Sequence, residues 1–398
     1  MVASSKLPLL LLLAVGVTGK TGKLGPKQSA TNYGTNIMVN AGDIRQSIDV
    51  EKLTTYLVQH IPHLKAPLTV KQFKFGQSNP TYFLEDANQL KLVMRKKPPG
   101  ELLSKTAHAV EREYKILKAL QDTPVPTPKV YCLCEDRSVL GTPFYVMEFL
   151  KGRIFEDASM PQLPPQERRA CWLAAVDALT KLHSIDPKSV GLSDYGRPTD
   201  FYPRQLRTLS TISQTQSKVT DGATGNSVGD IPHIKDILDF FNRNLPKDRT
   251  TIVHGDYKID NMVFHPTEAR VIGILDWELS TIGHPLSDVA NLCHPYSLPY
   301  FKGAANSGFV GHEVEGIPKL EEVISAYKKG SGVDATPDWT FVSAFAHFRL
   351  AVIAQGIASR VYRKQASSES AHRTAALFPV MGELCWSTIE SAVPSSKL

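Results

Sequence analysis

The most informative part of this sequence reads His254-Gly255-Asp256-Tyr257-Lys258-Ile259-Asp260-Asn261, followed by Ile274-Leu275-Asp276. Short apolar runs at Thr251–His254 and Val271–Leu275 predict two strands. Asp256 therefore lies on a loop after one strand, and Asp276 follows the other strand directly. Either aspartate alone would read as a turn residue. Two carboxylates behind two apolar strands, with Asn261 between them, form a pattern that turns do not explain.

The side chains of this stretch suit one kind of chemistry. A carboxylate such as Asp256 can accept the proton of an attacking hydroxyl group. Asn261 follows it at the five-residue spacing that kinase catalytic loops use between their aspartate and their metal-binding asparagine. Asp276 would add a second oxygen ligand, which is enough because magnesium leaves most of its coordination sites to phosphate and water. We therefore expect Asp256 to be catalytic, Asn261 and Asp276 to bind Mg²⁺, and the reaction to be phosphoryl transfer from ATP.

The hydrophobic periodicity changes once along the chain. Alternating apolar stretches between residues 68 and 149 predict strands, with one helix at Ala107–Leu120, whereas helical patterns dominate beyond residue 152. This order predicts an α+β, bilobal fold with a small strand-rich N-lobe and a larger, mainly helical C-lobe. We assign residues 1–44 to a leader or linker, 45–150 to the N-lobe, 151–394 to the C-lobe and 395–398 to a targeting tail. The Ser/Thr/Gly-rich segment Thr208–Asp230 is predicted to be a mobile surface loop.

Several motifs resemble one known superfamily. The phosphoryl-transfer stretch, Leu-His-Ser-Ile-Asp at 182–186 and Gly-His-Pro-Leu-Ser-Asp at 283–288 resemble the aminoglycoside phosphotransferase and choline-kinase-like superfamily over residues 68–365. The subgroup most similar is the kinase domain that is fused to certain acyl-CoA dehydrogenases. Segments similar to that subgroup are 95–100, 201–206, 276–278 and 348–351. The resemblance implies a protein-kinase-like fold, and because the chain ends before any dehydrogenase portion, we expect a stand-alone kinase module.

The resemblance also implies a cation that holds the phosphates of ATP. Arg95 ends the strand whose last basic residue grips the α- and β-phosphates, where most kinases have lysine, and arginine can hold phosphate bidentately. Lys96 would face the opposite side of the pleat. Glu113, on the following helix, would form the ion pair that positions Arg95. The alternative for Glu113 is an ordinary solvated helix charge.

Two further segments are implied to contact the nucleotide. Gly76 and Ser78, between two strands, would form the phosphate loop, although a plain hairpin turn explains a single glycine equally well. Met147, Glu148 and Leu150 would form the connector whose backbone pairs with adenine, with a buried strand end as the alternative. All five residues are therefore candidate cofactor contacts.

The residues after Asp276 contribute mainly through the resemblance. Asp288 is expected to brace the catalytic loop, and His183 to be a core or capping histidine. An acceptor pocket could be lined by His294, Tyr296, Tyr300, His347 and Arg349, although each alone is more often structural.

Composition excludes several functional classes. Apolar residues make up 42% and charged residues 21%, as in an ordinary globular protein, and the net charge of +6 is weakly in favour of anionic ligands. No compact Lys/Arg block with interleaved aromatics appears, so we expect no nucleic-acid partner. The five cysteines contain no Cys-x-x-Cys pair, which indicates buried or free thiols in a reducing compartment and no zinc site.

The two termini predict conflicting destinations. The apolar run Leu7–Val17 resembles a signal-peptide core and is too short for a stable membrane span. Ser396-Lys397-Leu398 has the form of a peroxisomal import signal, with the import receptor as partner. Because ATP chemistry with few cysteines suits a reducing compartment, we expect peroxisomal localisation, with the secretory pathway as the alternative.

The leading hypothesis is an ATP- and Mg²⁺-dependent kinase that phosphorylates the hydroxyl group of a small molecule. Resemblance to the dehydrogenase-linked subgroup indicates a hydroxy fatty acid or hydroxyacyl-CoA as acceptor. The alternative is a catalytically silent nucleotide-binding scaffold, which Arg95 and the glycine-poor loop favour. A protein kinase is disfavoured because no Asp-Phe-Gly or Ala-Pro-Glu pattern surrounds Asp276.

Overall fold

A six-stranded antiparallel sheet forms the N-terminal part of the computed structural model, which describes residues 41–44, 47–73, 79–99, 109–300, 307–365 and 371–392. The strand order is β1-β2-β3-β4-β6-β5. The strands are β1 (Ala41–Gly42), β2 (Thr69–Phe73), β3 (Thr81–Glu85), β4 (Lys91–Lys96), β5 (Val130–Cys134) and β6 (Phe144–Glu148). The accompanying helices are α1 (Val50–His60), α2 (Val110–Leu120) and α3 (Arg137–Leu140).

Helices cover the two faces of this sheet because successive strand residues point to opposite sides. Leu84 and Leu92 pack with Leu57 of α1 on one face. Phe83 and Val93 pack with the apolar side of α2 on the other face, which belongs to the main core of the molecule. The α2 side of β4 therefore looks toward the rest of the chain.

The remainder of the described chain is mainly helical. Its helices are α4 (Pro165–Ser184), α5 (Phe201–Ser217), α6 (Ile234–Arg243), α7 (Leu286–Leu292), α8 (Leu320–Ser331), α9 (Trp339–Tyr362), α10 (Ala371–Ala375) and α11 (Leu377–Glu390). Its strands form two short antiparallel pairs, β7 (Thr251–Val253) with β10 (Thr281–Gly283) and β8 (Met262–Phe264) with β9 (Val271–Ile274). The predicted α+β, bilobal architecture, with a strand-rich N-lobe and a larger helical C-lobe, is confirmed.

The longest helix belongs to the core of the C-lobe. Thr336–Tyr362 is long and apolar enough to cross a bilayer, and it is the one such helix among the described residues. However, 72% of its apolar window is buried inside the protein, where it packs against α5, α7 and α11. Its hydrophobicity is thus accounted for by packing within the lobe.

The predicted mobile loop at Thr208–Asp230 is wrong for its first ten residues, which are the second half of α5. Leu206, Leu209 and Ser213 lie one or two turns apart and form a buried stripe. The Ser213 hydroxyl donates to Gln355 Oε1 of α9 at 2.8 Å. A serine that replaces an apolar residue in the stripe made the segment look like a polar loop, and tertiary packing overrides that composition.

Some predicted residues lie outside the described ranges. These are Gly76 and Ser78 of the proposed phosphate loop, the apolar run Leu7–Val17, and the tail Ser396-Lys397-Leu398. Their proposed roles stay predictions.

Candidate active site

The loop after β7 presents Asp256 in a fixed orientation. Gly255 has φ +86°, and a Cβ atom there would lie 2.5 Å from the carbonyl oxygen of Leu279, so the turn requires glycine. The Asn261 side-chain amide donates to the Asp256 carbonyl at 2.8 Å and to Asp256 Oδ2 at 2.9 Å. One carboxylate oxygen of Asp256 is therefore held, while the side chain remains partly exposed for a ligand.

Asp288 braces the backbone of this loop from below. Its buried carboxylate accepts hydrogen bonds from the amides of His254 at 2.7 Å and Gly255 at 2.9 Å. Burial alone would raise the pKa of Asp288, but its contact with His183 and these hydrogen bonds hold the pKa below its ordinary value. Asp288 is thus an ionised anchor for the loop, and the Nδ1 of His183 is in turn 2.7 Å from the Tyr327 hydroxyl.

Asp276 and Asn261 are joined through the backbone. The amide of Leu275 donates to the carbonyl of Asn261 at 2.8 Å, and His254 Nε2 lies 2.8 Å from the carbonyl of Leu275. Asp276 itself has φ +63°, a left-handed conformation that is costly for a residue other than glycine. Such strain clusters at functional sites, where the surrounding structure imposes it.

The donor set at this point fits magnesium. The side-chain nitrogen of Asn261 donates to Asp256, so the side-chain oxygen Oδ1 of Asn261 is the atom left for a cation. The Asp276 side chain is 39% exposed and offers carboxylate oxygens. Among the described residues no group of three or more His, Cys, Asp or Glu could hold a metal ion. A pair of hard oxygen donors with open positions suits Mg²⁺, which retains water and phosphate ligands.

Arg95 connects the two lobes at this site. Its guanidinium lies 3.1 Å from Glu113 Oε2 and 3.3 Å from Asp276 Oδ1. Glu113 is held by hydrogen bonds from Asn79 Nδ2 at 2.8 Å and from the Tyr145 hydroxyl at 3.0 Å. Burial alone would lower the pKa of Arg95, but Glu113 and its other neighbours raise it, so the guanidinium is permanently charged.

Lys96 points away from this cluster. Its ammonium group donates to Thr142 Oγ1 at 2.7 Å on the opposite face of the sheet. The structure thus brings Arg95, and not Lys96, to the cleft.

A cavity of about 590 Å³ opens between the lobes. Arg95, Asn261 and Asp276 are among the residues that line it. Its walls also include Phe73, Val93, Tyr145, Met147, Glu148, Phe149, Leu150, Phe155, Val263 and Ile274. This volume and this mixture of apolar walls with few polar groups are typical of a small-molecule site.

The connector between the lobes forms the rim of the cavity. Met147, Glu148 and Leu150 all line it, and the Leu150 N–H has no hydrogen-bond partner in the part of the chain that the structure describes. The side chain of Leu150 lies against Gly273, where any Cβ would collide with it. An unpaired amide at a cavity rim can donate to a ligand.

Lys258 was missed by the sequence analysis. Its ammonium group lies 3.5 Å from Asp256 Oδ2 and 3.2 Å from Asp260 Oδ2. Burial alone would lower its pKa, but the two carboxylates raise the pKa above its ordinary value. The signal available in the sequence was its position two residues after Asp256, on the same short loop.

The candidate acceptor residues divide into two groups. Tyr296 donates to the Pro318 carbonyl at 2.6 Å, and the rings of Tyr300 and His312 stack at 3.9 Å. Of the other three, His347 is buried, whereas His294 and Arg349 are partly exposed.

Of these three residues, the rings of His294 and His347 are 5.2 Å apart. Burial lowers the pKa of both, to about 4 for His294, so both are neutral. Arg349, which follows His347 on α9, is the one charged residue of these three. Burial lowers its pKa, and the charge of Asp256 opposes that shift.

Comparison with known proteins gives consistent matches. A family model described as "Phosphotransferase enzyme family" matches residues 69–323. The chain is 43% identical over 338 residues to acyl-CoA dehydrogenase family member 11 of Rattus norvegicus, which covers 83% of this chain and 42% of that protein. It is 42% identical to acyl-CoA dehydrogenase family member 10 of Mus musculus, covering 81% of this chain and 29% of that protein. The chain thus spans less than half the length of these relatives.

Solved structures give the same result. A proposed aminoglycoside phosphotransferase from Ralstonia eutropha has a TM-score of 0.77 and 37% identity, and the match covers 87% of this chain and all of that one. A choline kinase from Cryptosporidium parvum has a TM-score of 0.59 at 14% identity over 86% of this chain and 97% of that one, which shows a shared fold. The predicted kinase-like fold is confirmed.

Proposed function

We propose, from the premise that this chain belongs to the phosphotransferase enzyme family, that it transfers the γ-phosphoryl group of ATP to a hydroxyl group of a small molecule with Mg²⁺ as cofactor. The family and the Ralstonia structure make it a small-molecule phosphotransferase. The observation that carries the finer proposal is that Arg95, Asn261 and Asp276 line one interlobe cavity, while Asp256 is hydrogen-bonded to the side chain of Asn261.

Each residue has a definite task in this reaction. Asp256, oriented by the Asn261 amide, accepts the proton of the acceptor hydroxyl as the oxygen attacks phosphorus. Lys258 places a positive charge beside Asp256, close to where negative charge moves during transfer. Arg95, positioned by Glu113, would bind phosphate oxygens. Asn261 and Asp276 would hold Mg²⁺, which neutralises the charge of the phosphates when bound.

The nucleotide base would lie against the connector. The free N–H of Leu150 supplies a donor, and Met147 with the cavity's aromatic residues supplies apolar surface. We propose that Glu148 contributes through its backbone, because its carboxylate is turned toward the amide of Lys129 at 3.3 Å. Gly76 and Ser78 complete the proposal as the phosphate loop.

The proposed acceptor is a hydroxy fatty acid or its CoA thioester. The support is the names of the relatives, in which a region like this chain is part of an acyl-CoA dehydrogenase family member. Phosphorylation would turn a hydroxyl, which is a poor leaving group, into a good one. Such a step would prepare a hydroxylated acyl chain for elimination.

The test is ADP release by the purified protein with ATP, Mg²⁺ and a panel of hydroxy acids and hydroxyacyl-CoAs. We expect acceptor-dependent turnover, and we expect Asp256→Ala to lower kcat by about 10²- to 10⁴-fold because the general base is lost. Asp239→Ala, at an exposed site on α6, is the matched control and should have native activity. Equal ADP release by the native protein and Asp256→Ala would instead support the silent nucleotide-binding scaffold.

A further inference from the structure

Arg349 is a partly buried arginine that has no hydrogen-bond or ion-pair partner among the described residues. It makes no hydrogen bond, ion pair or ring contact with any residue in the described ranges. A guanidinium has five N–H donors, and removing them from water is costly unless they are paired. Because Arg349 is partly exposed, its N–H donors are accessible to a ligand.

The other inward-facing arginines contrast with it. Arg95 pairs with Glu113 and Asp276, Arg112 donates to the carbonyls of Tyr195 and Ser280, Arg153 pairs with Glu167, and Arg168 donates to the carbonyls of Met160, Leu163 and Glu315. Each of these four arginines thus has at least one carboxylate or carbonyl partner within the protein.

The position of Arg349 links it to the catalytic loop. It lies on α9, which packs against α7. The side-chain amide of Asn291 in α7 donates to the Gly255 carbonyl at 3.2 Å, directly before Asp256. Burial lowers the pKa of Arg349, and the charges of Asp256 and Asp288 oppose that shift. Arg349 is not among the residues that line the nucleotide cavity, and two residues before it the ring of His347 lies 5.2 Å from that of His294, just after α7.

We propose that Arg349 binds an anionic group of the acceptor and thereby selects acceptors that carry a carboxylate or a phosphate. This inference rests on the proposed function and specifies the substrate class of the same site. Guanidinium is the side-chain group best matched to these anions, because its planar fork can donate two parallel hydrogen bonds to them.

The carboxylates around Asp256 explain why an anionic acceptor would need a cation such as Arg349. Asp256, Asp260 and Asp276 carry negative charge that Lys258 and Arg95 offset only in part, and the remainder would repel an anionic acceptor. Arg349 offsets that repulsion on the acceptor side. A cationic acceptor would gain from the carboxylates but would be repelled by Arg349, so the pocket discriminates by charge.

Two sources can supply the anionic group: the carboxylate of a free hydroxy acid, or the phosphates of a CoA thioester. They are separated by three matched acceptors, which are a hydroxy acid, its CoA thioester, and the neutral diol in which the carboxylate is replaced by an alcohol. Steady-state ADP release gives kcat and KM for each acceptor. Calorimetric binding of each acceptor in the presence of ADP and Mg²⁺ gives its Kd without requiring turnover.

We expect the native protein to prefer at least one anionic acceptor over the diol, and Arg349→Met to reduce that preference at least about tenfold, mainly through KM or Kd. Arg349→Lys should retain part of the preference because it keeps the charge. Arg360→Met, at an exposed position on the same helix, should leave the preference unchanged. Loss confined to the hydroxy acid identifies its carboxylate as the bound group, and loss confined to the thioester identifies the phosphates.

The proposal is overturned if the native protein binds none of the three acceptors, if it binds the diol as tightly as both anions, or if Arg349→Met weakens all three equally. One further result would distinguish failure of this proposal from failure of the proposed kinase function. Arg349-dependent binding of an anion without ADP release in any acceptor assay would retain the anion site and reject the kinase.

Discussion

Lys258 lies between the carboxylates of Asp256 and Asp260 at the proposed reaction centre, and its positive charge there can be tested by substitution. Lys258→Met keeps the aliphatic stem and removes the positive charge next to Asp256. We expect kcat to fall about 100-fold, because a preorganised charge near the migrating phosphoryl group is lost. The measurement is ADP release at saturating ATP and acceptor.

The control for this prediction is Lys235→Met, at an exposed position on α6. It should have native kcat. A decrease of less than about threefold in Lys258→Met would show that Lys258 is a surface charge that happens to lie near Asp256.

Only some of the site residues could be predicted from local sequence. Asp256, Asn261 and Asp276 could be predicted because their spacing along the chain encodes their chemistry. Arg95 and Glu113 needed a resemblance, since their ion pair joins a strand to a helix. The significance of Arg349 could not be found in advance, because it depends on which partners the folded chain fails to provide.

Helix α5 is an element whose amino-acid composition and whose packing lead to opposite predictions. From Thr208 onward its sequence is rich in Ser and Thr and predicts a loop, yet Leu209 is only 9% exposed. We expect Leu209→Ala to lower the free energy of unfolding by about 2–4 kcal/mol, because a buried leucine is removed from a packed interface. Urea unfolding followed by circular dichroism measures this change.

Thr208→Ala is the matched control, because Thr208 is exposed on the same helix. Its effect should stay within about 0.5 kcal/mol. If Leu209→Ala is equally mild, this segment behaves as the mobile loop that its composition indicates. The strands were easier to predict, since their alternating residues match the two faces of a sheet directly.

At the scale of the whole molecule, the order of strand-rich and helical segments was enough to predict two lobes. It did not predict how the lobes meet, because contacts such as Arg95 with Asp276 join residues far apart in the chain. Gly152 shows the same limit: a Cβ there would collide with the carbonyl of Phe264, which fixes the connector against β8. The cleft is defined by these close approaches.

A ligand that contacts both lobes should stabilise the molecule as a unit. We expect ATP with Mg²⁺, at about 100 times its Kd, to add about 2.7 kcal/mol to the free energy of unfolding and to raise Tm by a few degrees. ATP with excess EDTA should give a smaller rise, because Asn261 and Asp276 would then hold no cation. Asp276→Asn should remove most of the difference between the two conditions, whereas Asp239→Asn on α6 should preserve it. Thermal unfolding of the three proteins in both buffers measures these shifts. An equal rise with and without Mg²⁺ in the native protein would contradict the placement of the metal at Asp276, since a cation bound there must couple nucleotide affinity to that carboxylate.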